Sequence, residues 1–122
     1  MTIINYARDN NFEKVNECIK NGVDVNITNK FGETALIWAS REENNAIVKL
    51  LLENDADVNV KNKDGQTALM VASRRGNNAI VKLLLENNAD INVQNSNCRT
   101  ALVLAKKYGY TNIVKLLENQ GG

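Results

Sequence analysis

Histidine is absent from this 122-residue chain, and cysteine occurs only twice. Without histidine the commonest general base is missing, and so are Ser–His and Cys–His dyads and most zinc sites. Cys18 and Cys98 are too few and too far apart in sequence to build a structural zinc site alone. They read as free thiols in a reducing compartment. No apolar run approaches the ~18 residues that would cross a bilayer. The opening stretch, Met1 to Asn11, is mixed polar and lacks the apolar core of a signal peptide. Charge is also nearly balanced, at a net +1, so no global field draws the chain to nucleic acid or to an anionic membrane. Neither Gly-x-x-x-x-Gly-Lys-Ser/Thr nor Gly-x-Gly-x-x-Gly occurs, so no phosphate-cradling loop is encoded. The one conspicuous carboxylate pair, Glu42 and Glu43, reads as solvated charge on a turn. A basic-aromatic cluster at Lys106, Lys107, Tyr108 and Tyr110 is too small to track a nucleic-acid backbone. These absences predict a protein that is not an enzyme, needs no cofactor or metal, binds neither nucleic acid nor membrane, and is intracellular, in the cytoplasm.

What the sequence does contain is repetition, the first feature to test in any chain. Residues 29–61 read NKFGETALIWASREENNAIVKLLLENDADVNVK, and residues 62–94 read NKDGQTALMVASRRGNNAIVKLLLENNADINVQ; 24 of the 33 positions are identical without a gap. Residues 95–122 continue in phase, and residues 1–28 form a first repeat without its opening turn. Thr34, Thr67 and Thr100 share one phase, and each can cap a helix start. Leu36, Ile37, Ala39 and Ser40 then follow at helical spacing and predict a short first helix. Asn10, Glu43, Gly76 and Gly109 fall where it must stop; Asn and Gly suit the left-handed geometry that ends helices, and Glu does not. Ile47, Val48, Leu50, Leu51 and Leu52 predict a second helix, whose end is marked by Gly22, Asp55, Asn88 and Gly121. Asp24/Asn26, Asp57/Asn59 and Asp90/Asn92 then read as turn scaffolding, their side chains satisfying backbone amides. Asn-Lys-Phe-Gly at 29–32 and Asn-Lys-Asp-Gly at 62–65 predict hairpin-like tips. One such unit cannot bury its own apolar face, so the units must stack.

Helix–turn–helix units of this length, opening Gly32-Glu33-Thr34-Ala35-Leu36 or Gly65-Gln66-Thr67-Ala68-Leu69 and closing Ala56-Asp57-Val58-Asn59, resemble ankyrin repeats. The resemblance covers essentially the whole chain. It implies an all-α solenoid of about four stacked units in a single domain: 1–28, 29–61, 62–94 and 95–122. It also implies that the tips and first helices line a concave face that grips a partner protein. Three departures stand out. Ala35, Ala68 and Ala101 replace the family's usual proline, and Ile37, Met70 and Val103 replace its histidine. The Thr–His hydrogen bond is therefore lost, and packing must rely more on apolar contact. Cys98 occupies the tip-glycine position, which predicts a distorted last finger. The resemblance also marks Asn59 and Asn92 as candidates for side-chain hydroxylation.

Positions that differ between near-identical repeats are the natural candidates for recognition. On the predicted concave face these candidates are Arg8, Lys30, Phe31, Glu33, Trp38, Arg41, Glu42, Asp64, Gln66, Arg74, Arg75, Arg99, Lys107 and Tyr108. Phe31 reads either as an exposed anchor or as a ring folded against the next finger. Trp38 shares its phase with Val71 and Leu104, so it is either core or a concave-face anchor. Arg8, Arg41, Arg74 and Lys107 form a ladder with rungs about 10 Å apart if the helices pack normally. That ladder suits an acidic partner, or else it is solvated charge favoured at helix C-termini. The predicted function is protein binding. The alternatives are a spacer or fragment of a longer array, or an engineered repeat protein. A monomer is expected, with self-association through the apolar last repeat as the alternative.

Overall fold

In a computed structural model the described residues are 1–121; Gly122, the last residue of the fourth repeat, lies outside them. Eight helices are described, in four pairs: α1 (Ile3–Arg8) and α2 (Phe12–Lys20), α3 (Ala35–Arg41) and α4 (Asn45–Glu53), α5 (Ala68–Arg75) and α6 (Asn78–Glu86), α7 (Ala101–Lys107) and α8 (Thr111–Gly121). The expected all-α architecture is borne out, with no strand among the described residues. The tips are turns that borrow only a hairpin's hydrogen bonding.

Each helix begins and ends for local chemical reasons. Thr34, Thr67 and Thr100 Oγ1 accept from the amides of Ile37, Met70 and Val103, which satisfies an otherwise orphaned donor in the first turn of α3, α5 and α7. Asn11 and Asn77 do the same for α2 and α6. The stop positions are left-handed, as expected: φ is 57° at Asn10, 59° at Glu43, 77° at Gly76 and 75° at Gly109. Glu43 is the one residue of the four with neither glycine's freedom nor an Asn side chain suited to that region. Glu43→Gly is therefore expected to stabilise the fold by several tenths to about 1 kcal/mol. Its one ion pair among the described residues, 3.9 Å to Arg75 between two half-exposed side chains, is too loose to offset this. A denaturation midpoint that fails to rise would contradict the assignment.

Helices of six to eleven residues are not stable alone; stacking supplies what they lack. Leu36, Ile37, Leu69 and Met70 are fully buried, as are Ile47, Val48, Leu51, Ile80, Val81 and Leu84. Ile37 and Met70, two of the three residues in the place of the expected histidine, are buried, whereas Val103 at the same phase is exposed. Ala39, Ala72 and Ala105 have no exposed surface, and this lets α3, α5 and α7 approach their neighbours closely. The first helices contact one another more extensively than the second helices do, so the stack is tighter along α1, α3, α5 and α7. Buried polar groups tie the layers together: Asn44 Nδ2 donates to the Ala7 carbonyl at 2.7 Å, joining two repeats.

The turns are cross-linked as well. Asp57 N donates to Asn26 Oδ1 at 2.8 Å and Asp90 N to Asn59 Oδ1 at 2.7 Å, so each Asn fastens its turn to the next. Asp24, Asp57 and Asp90 accept from the amides of Asn26, Asn59 and Asn92. The scaffolding role of these residues therefore holds. At the tips, Asn29, Asn62 and Asn95 Oδ1 each accept from two following amides. Lys63 N donates to the Phe31 carbonyl and Ser96 N to the Asp64 carbonyl, both at 3.0 Å, so successive tips lie backbone to backbone. Gly65 shows why glycine sits there: a Cβ would stand 3.0 Å from Asn95 Cα, and φ is +75°. The last tip corrects an expectation. Cys98 takes the same conformation at φ 61°, and the Cys98 N–Asn95 O and Asn95 N–Arg99 O bonds are kept. The finger is not distorted. Cys98 is exposed, so its Cβ incurs only the cost of left-handed backbone.

Candidate protein-binding surface

The last turns of the first helices carry the expected basic ladder, but its rungs are not equivalent. Arg8 turns to its neighbour Asp9, with Nε 2.9 Å from Oδ1, and that hydrogen bond holds the Asp9 carboxyl below its ordinary range. Arg41 turns inward. Its Nη1 lies 2.9 Å from Glu33 Oε2, and its guanidinium sits 4.4 Å from the centre of the Trp38 ring. Arg74 and Lys107 pair with no carboxylate within 4.0 Å among the described residues; both instead flank the Tyr108 ring, at 5.8 and 5.6 Å. The available positive charge thus lies at the third and fourth repeats, not evenly along the ladder.

Glu33 departs most from its expected place. It was predicted as a variable surface residue, yet it is only 7% exposed. Its carboxylate accepts from Asn29 Nδ2 at 3.1 Å, Trp38 Nε1 at 3.0 Å and Arg41 Nη1 at 2.9 Å. Burial pushes this carboxyl upward, but the three donors outweigh it and hold the group below its ordinary value. Glu33 is therefore an internal strut. Trp38 resolves between its two readings as half-buried, its indole N–H spent on Glu33 and one face covered by Arg41.

The remaining candidates are distributed as follows. Phe31 is 55% exposed, with Lys30 Nζ 5.2 Å from the ring centre; its backbone joins the next tip while the ring stands clear. Lys30, Asp64 and Glu42 are exposed, and Gln66 and Arg99 are half-buried in their tips. Two adjoining clefts open between the helix ends. One, of about 270 Å³, is lined by Arg41, Gln66, Val71, Arg74 and Arg75. The other, of about 290 Å³, is lined by Glu43, Arg74, Arg75, Tyr108 and Tyr110. In the sequence Tyr110 stands out only as part of the small basic-aromatic cluster, and Val71 only as the phase-mate of Trp38. Tyr110 could have been traced from Gly76: a Cβ there would meet the Tyr110 ring at 2.6 Å, so that glycine makes room for the aromatic wall.

No three-residue cluster of Cys, Asp or Glu among the described residues is arranged to hold a metal. No helix among them is long and apolar enough to cross a membrane.

A stack of short helix pairs with cross-bonded tips defines a helical-repeat solenoid. A family model for ankyrin repeats in three copies matches residues 3–95, and one for ankyrin repeats in many copies matches residues 76–118. The chain belongs to the ankyrin-repeat family. Members of this family are in general protein–protein interaction modules and are typically not enzymes. A search of curated proteins gave no match.

Proposed function

We propose that the protein binds a partner protein through the surface formed by its tips and first helices, with its centre of recognition at repeats three and four. The observation that carries this reading is Arg74, Arg75 and Tyr108 around two open clefts, with Lys107 beside the Tyr108 ring, while Arg8 and Arg41 are engaged by Asp9 and Glu33. Arg and Tyr are residue types that concentrate binding energy at interfaces. The partner presents an acidic surface to this cluster. Phe31, exposed on its tip, is a second anchor on the same side.

Nothing in this reading calls for chemistry, an ion or a second copy of the chain. Val103 is 45% exposed where its phase-mates Ile37 and Met70 are 1% exposed, which is the feature that would favour self-association. The Lys106–Glu118 pair on the same repeat works against it, since stacking would bury both charges. We read the protein as a monomer.

The test is affinity capture from extract with three forms of the chain: native, Arg74→Glu/Lys107→Glu, and a control reversal on the second helices, Lys49→Glu/Lys82→Glu. Proteins held by the native chain should be lost at least about tenfold with the first variant, because like charges now oppose the acidic partner. They should be retained with the control. Equal retention by both variants would contradict the proposed face.

A further inference from the structure

The two clefts share Arg74 and Arg75, and their linings suggest what kind of charge is read there. Three guanidinium groups from two successive repeats, Arg41, Arg74 and Arg75, line the 270 Å³ cleft, and no carboxylate lines it. Glu33 lies behind Arg41 and balances that one cation. Arg75 meets Glu43 only at 3.9 Å, with both side chains about half exposed. A contact of that length between exposed groups is readily exchanged for a better one. Arg74 has no carboxylate within 4.0 Å among the described residues. The cleft therefore holds two guanidinium charges in excess, each a planar fork of N–H donors suited to tetrahedral or planar oxyanions. Arg41 spends one Nη1 hydrogen bond on Glu33 and keeps further donors for a ligand. The side chain of Gln66 adds a neutral polar wall, and Val71 supplies an apolar floor.

A single carboxylate would match only half of that excess. A phosphate monoester carries nearly two charges near neutral pH and offers three acceptor oxygens, enough for all three guanidinium groups. We infer that this cleft reads a phosphorylated side chain on the docked partner, with Arg74 and Arg75 as the principal ligands and Arg41 as the third. The inference rests on the reading that this face docks a protein. Phosphate supplied by a partner and phosphate free in solution share the same chemistry, so the test must separate them.

Three probes serve: a short phosphoserine peptide, the same peptide with Glu in that place, and inorganic phosphate. Each is titrated into the full chain labelled for NMR, observing the Arg Nε–Hε and the backbone amide resonances. The phosphoserine peptide is expected to shift Arg74 and Arg75 saturably. The Glu peptide should bind at least about tenfold more weakly, the loss expected when charge-assisted hydrogen bonds are removed. In Arg74→Gln/Arg75→Gln, whose folding is checked by the unshifted backbone amides of the second helices, the peptide should no longer shift the remaining Arg41 Nε–Hε resonance or the backbone amides around the cleft. Equal binding of the Glu peptide would overturn the inference. So would shifts spread over surface cations such as Lys49 and Lys82. Inorganic phosphate binding as tightly as the peptide would overturn it too, assigning the cleft to the free ion. Each of these results leaves the capture experiment above to decide separately whether the face docks protein.

Discussion

Leu51→Ala is expected to cost the fold about 2–5 kcal/mol, a large share of the total for a domain of this size. Leu51 has no exposed surface, and it lies on α4 inside the second repeat, with a repeat on either side. Removing its branched end opens a cavity that rigid neighbours close only in part. Stability in a solenoid is approximately a sum of repeat and interface contributions. The same truncation at Leu117, in the last repeat, therefore removes contacts to one flanking repeat rather than two. Leu117→Ala should cost measurably less than Leu51→Ala, although both side chains are buried. Denaturant titration reads both variants. A loss below about 1 kcal/mol at Leu51 would contradict close packing between repeats.

The second large effect is expected at the Glu33 strut. Arg41→Ala removes the charged donor from a buried carboxylate and should cost about 1.5–3 kcal/mol. Glu33→Gln keeps a side chain that can still accept from Trp38 Nε1 but loses the charge, and it should cost less. The pH dependence has a definite sign. Glu33 titrates below its ordinary value in the folded chain, so on acidification the unfolded chain takes up this proton first. The stability advantage of the native chain over Glu33→Gln should be fully present above that ordinary value, 4.5, and be lost as pH falls through the lower folded value. An advantage that is flat or grows on acidification would mean that the carboxylate is not held by these donors.

How much of this was legible in sequence depended on the range of the interaction. Thr34, Thr67 and Thr100 announce the helix starts because a cap is satisfied three residues away. Asn10, Glu43, Gly76 and Gly109 announce the stops because four repeats superimpose four solutions to one backbone problem. The Asp–Asn turns were legible for the same reason. Glu33 was misread because its environment is assembled from Trp38 and Arg41, on the next helix, and Trp38 is itself a departure from the repeat while Arg41 keeps the repeat's basic residue. Comparing repeats finds what varies, and variation at a buried strut looks the same as variation at a binding surface. The ladder failed in a similar way. Arg8, Arg41, Arg74 and Lys107 share a phase, but the acid at the phase of Asp9 recurs only as Glu42 and gives way to Arg75 and Tyr108, and at the phase of Glu33 the later repeats carry Gln66 and Arg99. Identical positions thus acquire different electrostatic partners.

The central claim is that recognition lies on the tips and first helices, weighted toward repeats three and four. Hydrogen exchange on the complex recovered by affinity capture tests it most directly. Reduced exchange should appear at the tips and at the last turns of α5 and α7, around Arg74, Arg75, Lys107 and Tyr108, with α4 and α6 unchanged on their exposed sides. Protection confined to α4, α6 and α8, with the tips and first helices exchanging as in the free protein, would contradict it.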